Sequence, residues 1–180
     1  EAARRAGEAG IDAVELHASN GCLVSTFLSP VTNRRTDEYG GSVENRARFA
    51  RRIVEKIKER AGRDFPVIVR INMYDDMEGG IAPGEVVQLA VAMESAGADA
   101  INISSGLEYW TTSTIPCYLF PEGPMLPMAE RLKKAVHIPV IAAGKISVEL
   151  AERILSKGKA DFIAMGRPLL ADPELPEKVR

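Results

Sequence analysis

One short phrase recurs along the chain and limits what it can fold into. Ala9-Gly10-Ile11-Asp12-Ala13-Val14-Glu15-Leu16, Ala96-Gly97-Ala98-Asp99-Ala100-Ile101-Asn102-Ile103 and Gly158-Lys159-Ala160-Asp161-Phe162-Ile163-Ala164-Met165 are versions of it. Each reads as a helix end closed by glycine, an acidic turn residue and a short apolar strand, which is half of a βα unit. Phe65-Pro66-Val67-Ile68-Val69-Arg70 and Ile138-Pro139-Val140-Ile141-Ala142 share a second phrase. Together they predict five strands, at about 13–17, 66–72, 100–104, 139–143 and 162–166. Helical patterns fill the gaps over Ser42 to Arg60, Pro83 to Ser95, Met125 to Val136 and Val148 to Lys157, and Glu1 to Ala6 already reads as helix. Near-continuous apolar strands alternating with helices predict an α/β protein whose parallel sheet is covered on both faces. Five units are too few to close a TIM (β/α)8 barrel, so on that fold residues 1–180 are one partial domain, about strands 4 to 8, with the first three units before Glu1. An open doubly wound sheet is the competing fold.

Bulk composition excludes several function classes. A net charge of −2 and a pI near 5.8 give no reason to expect nucleic acid or an anionic membrane as partner. No apolar run approaches the length of a membrane span and no signal-peptide pattern opens the chain, so a cytoplasmic location is expected. Cys22 and Cys117 are too few for a disulfide framework, and no Cys-x-x-Cys pair or His-rich tract points to a metal. The first residue is glutamate rather than methionine, in what already reads as helix, so a fragment is expected. Such a fragment would expose strand edges and apolar surface, and is expected to associate with itself or with a complementing barrel half.

Two strand ends carry a glycine and a cation: Ala142-Ala143-Gly144-Lys145-Ile146 and Ala164-Met165-Gly166-Arg167-Pro168. Glycine lets backbone N–H groups approach an anion, and Lys145 or Arg167 supplies counter-charge, so the pair reads either as a phosphate site or as two ordinary turns with solvated cations. After the last two strands of a (β/α)8 barrel, such loops form the fold's recurrent phosphate site. Period-two alternation puts Glu15 with His17, Arg70 with Asn72 and Ile68, and Asn102 with Ser104 on one face. Polar groups there need partners or a ligand. For Glu15 and Arg70 an ion pair and a ligand role both fit, as do a hydrogen-bonded core position and a ligand role for His17.

Three longer segments carry a family resemblance. Val14-Glu15-Leu16-His17-Ala18-Ser19-Asn20-Gly21, Phe27-Leu28-Ser29-Pro30 and above all the run from Asn33 to Phe49, with Asn33-Arg34-Arg35-Thr36-Asp37-Glu38-Tyr39-Gly40-Gly41-Ser42, resemble the Old Yellow Enzyme-like flavin oxidoreductases. These are FMN-dependent (β/α)8 barrels that include dienoyl-CoA reductases and trimethylamine dehydrogenase. The similarity continues through Val69-Arg70-Ile71 and both glycine-cation loops to Ala171-Asp172-Pro173.

The resemblance implies an FMN-dependent enzyme that takes hydride from NAD(P)H and reduces activated alkenes, with a small molecule as substrate. Flavin-dependent amine oxidation or demethylation is a second reading, and a flavin-free, inactive phosphate-binding fragment is a third. Arg70 would lie against the pyrimidine edge of the flavin, and Gly144, Lys145, Gly166 and Arg167 would hold the FMN phosphate. His17 and Asn20 match the pair that hydrogen-bonds the substrate's carbonyl or nitro oxygen. Cys22 stands where many ene-reductases of the family carry the tyrosine proton donor. It reads as an alternative acid, as a pocket-shaping residue with solvent giving the proton, or as a small buried hydrophobe. Some larger members add an iron–sulfur cluster and a dinucleotide-binding region, which here would lie beyond Arg180. The run Asn33 to Phe49 reads as scaffolding, with Asp37 pairing among Arg34, Arg35, Arg46 and Arg48. The long loop Gly106 to Pro124, with Tyr109, Trp110, Tyr118 and Phe120, reads as cover for flavin or substrate, or as a lid or subunit contact. His137, before the fourth strand, is expected at the opposite end and structural.

Overall fold

A computed structural model describes residues 1–75, 77–107 and 120–180. Five strands, β1 (Val14–Ala18), β2 (Val67–Asn72), β3 (Ala100–Ser104), β4 (Val140–Ala143) and β5 (Phe162–Ala164), form one parallel sheet in sequential order. The helices are α1 (Ala2–Glu8), α2 (Leu23–Leu28), α3 (Val43–Ala61), α4 (Pro83–Ser95), α5 (Leu126–Lys133), α6 (Val148–Ser156), α7 (Arg167–Ala171) and α8 (Leu175–Lys178). All five expected strands are present within two residues of their expected limits. The helices α2, α7 and α8 are additions to the expected set, each six residues or shorter, too brief to show a helical period.

Sequential order separates the two candidate folds. A doubly wound sheet reverses its strand order at a switch point and so places helices on both faces. Here each strand lies beside the next, and right-handed crossovers then carry every connecting helix to the same side. Val67, Val69, Ile71, Ile101, Ile103 and Val140 are buried in a common core with Val54, Leu89, Met93 and Leu132 of the helices. The opposite face carries Glu15, His17, Arg70 and Asn102. Expected cover on both faces is therefore corrected: the described helices pack on one face, as in a segment of a (β/α)8 barrel.

The acidic residue of the recurring phrase has a structural task. Asp99, just before β3, accepts the first N–H of the neighbouring strand, Val67, at 2.6 Å and pairs with Lys58 at 2.6 Å. Asp161, just before β5, does the same for Val140 N–H at 2.7 Å and pairs with Lys133 at 2.9 Å. Each aspartate thus fastens its strand to the preceding strand and to the helix that leads into that preceding strand. Asp12 occupies the equivalent place before β1 and is exposed.

The run from Asn33 to Phe49 is built around Arg46, which is 4% exposed. Its guanidinium donates to the carbonyls of Leu28 and Gly41, each at 2.8 Å, and to Glu85 on α4 at 2.7 Å. Asp37 pairs with Arg35, Arg48 donates to the Glu38 carbonyl, and Arg46 takes Glu85 instead of Asp37 as its acidic partner. The expected scaffolding role stands, with that change of partners. A Cβ on Gly40 would stand 1.9 Å from the Arg35 carbonyl oxygen, so the turn admits no side chain there. Ser42 caps α3, accepting the Asn45 N–H at 3.3 Å.

Both sheet edges are unpaired among the described residues. Beside β1 an apolar cavity of about 890 Å³ is lined by Val14, Leu16, Phe49, Ile53 and Ile57. At the other end Phe162 is 57% exposed and Leu170 84%. His137 precedes β4 at the N-terminal end of the sheet, its ring 96% exposed and its backbone N–H donating to Glu94, in keeping with a structural position.

Candidate active site

The strand register brings the polar residues into one row. His17 lies beside Arg70, and Arg70 beside Asn102. Glu15, one step down β1, reaches up and across: Oε1 lies 2.8 Å from Arg70 Nε and Oε2 accepts from Asn102 Nδ2 at 2.6 Å. The Arg70 approach is a charge contact without hydrogen-bond alignment, which leaves the buried Nε of Arg70 without a hydrogen-bond partner. Asn102 is 4% exposed, yet its Oδ1 also lacks a partner. Such orphans are costly unless a ligand meets them.

The turn after β1 is held from several directions. Asn20 adopts a left-handed φ of 57° and is followed by Gly21 at 74°. A Cβ on Gly21 would lie 2.2 Å from the Leu107 carbonyl oxygen, so glycine alone permits this approach to the end of β3. The Asn20 side chain donates to the Ser105 carbonyl at 2.8 Å and accepts from Ser104 at 3.1 Å, while its N–H donates to Asn72 at 3.2 Å. Ser19 joins the pair: its hydroxyl donates to Asn20 Oδ1 at 2.8 Å and lies 3.2 Å from His17 Nδ1. Asn20 is nearly buried and spends one amide hydrogen on Ser105, leaving the other. Cys22 sits at the N-cap of α2, partly buried.

Burial, with the neighbouring Arg70 cation, holds His17 below the ordinary imidazole range; Glu15 opposes the shift. The folded state therefore takes up a proton less readily than the unfolded one, whose imidazole titrates at about 6.5. Stability is full above that value and is lost as pH falls towards the lowered folded value. In the intact gene product His17→Gln is expected to reduce the loss of thermal midpoint between about pH 7.5 and pH 5.5, measured by scanning calorimetry.

At the C-terminal ends of the strands a second cavity, of about 1060 Å³, contains Arg70, Gly144, Lys145, Gly166 and Arg167 in its lining. All five residues read from the sequence as cofactor-binding thus meet in one space. Gly144 has φ 92° and Lys145 φ 49°, a left-handed turn that carries the chain out of β4. A Cβ on Gly166 would meet nothing within 4 Å, so this backbone stands open to the cavity. Lys145 donates its ammonium to the Phe120 carbonyl, and its own carbonyl accepts the Gly123 N–H at 3.0 Å, so it also ties down the end of the preceding loop. Ser147 caps α6 and donates to Glu122 at 3.1 Å. His17, Asn20 and Cys22 do not line this cavity; Arg70 links the two groups. Tyr109, Trp110, Cys117 and Tyr118 lie outside the described residues. Among the described residues no acidic, histidine or cysteine cluster could hold a metal.

Glu15 and Asn102 were visible as members of the polar face, but the direct bond between them and the contact of Glu15 with Arg70 require the register. Ser19 carried no signal beyond its place between His17 and Asn20.

The sequence profile of the NADH:flavin oxidoreductase / NADH oxidase family matches residues 1–180. A metal reductase of Desulforamulus reducens is 46% identical over 181 residues, covering 99% of this chain and 27% of its own length. A cinnamate reductase of Clostridium sporogenes is 42% identical over 196 residues, covering 99% of this chain and 29% of its own. Among solved structures, a 2-naphthoyl-CoA reductase in complex with 2-naphthoyl-CoA superposes with a TM-score of 0.93 at 36% identity, over 99% of this chain and 27% of that one. A histamine dehydrogenase from Rhizobium sp. 4-9 gives 0.87 at 36% identity, over 99% and 26%. The chain therefore spans under a third of the length of each of these relatives.

Proposed function

The chain belongs to the NADH:flavin oxidoreductase / NADH oxidase family, and from that premise we propose that it supplies strands four to eight of an FMN-binding (β/α)8 barrel that reduces activated alkenes with NAD(P)H. One observation carries the reading: Arg70, Gly144, Lys145, Gly166 and Arg167 converge on one cavity at the strand C-termini, with His17 beside Arg70. Active sites of this fold sit at that end, with phosphate held after its last two strands. The chemistry of the donors suits FMN. Open backbone at Gly166 and the cations Lys145 and Arg167 suit a phosphate, and the Arg70 guanidinium in the cavity wall suits an electron-rich carbonyl edge.

Arg70, Gly144, Lys145, Gly166 and Arg167 would hold FMN, which would supply hydride-transfer chemistry between NAD(P)H and the β-carbon of the substrate. The chain's own residues hold and polarise. Asn20 has an amide hydrogen left for the substrate oxygen, and His17 offers its ring to the same atom. Withdrawing density through that oxygen makes the β-carbon a better hydride acceptor. Cys22 is the candidate acid for the α-carbon.

Three features favour placing further barrel units before β1. Its edge is unpaired among the described residues, an apolar cavity lies beside it, and Asp12 repeats the position from which Asp99 and Asp161 fasten a preceding strand. A complementing barrel half is the partner proposed for that edge. No helix among the described residues is long and apolar enough to cross a membrane, and the cytoplasm is the proposed location.

The test is turnover by the intact gene product. NAD(P)H oxidation dependent on an enone or a cinnamate-like acid is the expected result. Oxidation of an amine, with no alkene reduced, would favour the chemistry named for the histamine dehydrogenase.

A further inference from the structure

We propose that Glu15 is a positioning residue that sets the strength of the Arg70 cation and, on the reading that this cavity holds FMN, sets the reduction potential of the bound cofactor. The carboxylate lies one step below the row His17–Arg70–Asn102 and uses both oxygens there, Oε1 at 2.8 Å from Arg70 Nε and Oε2 at 2.6 Å from Asn102 Nδ2. Asn102 is buried to 4% exposure, so the second contact fixes the carboxylate in place.

Two consequences follow for Arg70. Its Nε edge faces Glu15 and the residue lines the cavity, so the terminal nitrogens are the part of the guanidinium left for a ligand there. Its positive field is also partly cancelled by a negative charge within van der Waals distance. Flavin gains electron density at its pyrimidine edge on reduction. A cation there favours the reduced form, and an anion behind that cation weakens the preference. Glu15 thereby keeps the reduced cofactor from being over-stabilised, and a less stabilised hydride donor is a stronger one.

Glu15→Gln keeps the shape of the side chain and removes the charge. In the FMN-loaded intact gene product it is expected to increase the preference for reduced over oxidised flavin about tenfold, a two-electron midpoint more positive by about 30 mV in spectroelectrochemical titration. Binding of oxidised FMN to the apoprotein, followed by fluorescence quenching, is expected to change less than that. Glu15→Asp keeps the charge but draws it back by one methylene; it should shift the midpoint in the same direction by a smaller amount, and serves if the glutamine variant does not fold. A purely structural Glu15 would lower the thermal midpoint and leave the potential of the folded variants at the wild-type value, which overturns the assignment. A wild-type protein that binds no FMN overturns the reading of the cavity itself, and the assignment with it. Wild type that binds FMN beside variants with unshifted potential overturns the assignment alone.

Discussion

His17→Ala in the intact gene product is expected to lower kcat for an activated alkene by about 10²- to 10³-fold, the usual cost of removing one preorganised donor to a developing oxyanion. FMN should stay bound. His17 does not line the cavity of the glycine-cation loops, and its link to that cavity runs through Arg70, which the substitution leaves in place. The loss should fall on the oxidative half-reaction, in which the substrate takes hydride, while flavin reduction by NAD(P)H proceeds at close to the wild-type rate. Asn20 makes a poorer probe of the same pair, because its side chain also bonds Ser104 and the Ser105 carbonyl, so truncation loosens the turn as well as removing a donor. Stopped-flow measurement of the two half-reactions separates these effects. Loss of FMN from the His17 variant, or an unchanged alkene step, would remove His17 from the substrate site.

Arg46→Ala is expected to destabilise the protein by about 3 to 5 kcal/mol, the cost of breaking a buried ion pair from one side. The lower end is favoured, since Glu85 keeps some solvent and also accepts the Ala82 N–H at 3.1 Å. The substitution also strips the Leu28 and Gly41 carbonyls of their donors, so α2, the turn at Gly41 and α4 lose a common anchor. Arg46→Lys should recover little. A single ammonium cannot reach three acceptors that lie along the edges of a planar guanidinium. Urea unfolding of both variants checks this; a loss below about 1 kcal/mol would reduce Arg46 to a surface contact.

Much of this was legible in the sequence for physical reasons. The recurring phrase locates three strands because its glycine and aspartate have fixed duties: glycine ends a helix, and Asp99 and Asp161 fasten one strand to the last. Period-two alternation placed His17, Arg70 and Asn102 on one face, and parallel pairing then made them neighbours. Alternation is silent on strand order, which is why the open sheet stayed a competitor and cover on both faces was expected. It is silent too on contacts made off the strand axis. The reach of Glu15 to two partners, the bridge of Ser19 between His17 and Asn20, and the hold of Lys145 on the Phe120 carbonyl all depend on side-chain direction in three dimensions. Arg46 was legible as scaffold, but its partner Glu85 lies 39 residues away on another helix.

The most direct measurement is the visible absorption spectrum of the desalted intact gene product, before and after anaerobic addition of NADPH or NADH and then of an enone. Oxidised flavin absorbance that bleaches with the nicotinamide and returns with the enone is the expected result. A protein that shows no flavin absorbance, and takes up none on reconstitution with FMN, would contradict the reading and leave the cavity of Gly144, Lys145, Gly166 and Arg167 as a phosphate site without redox chemistry.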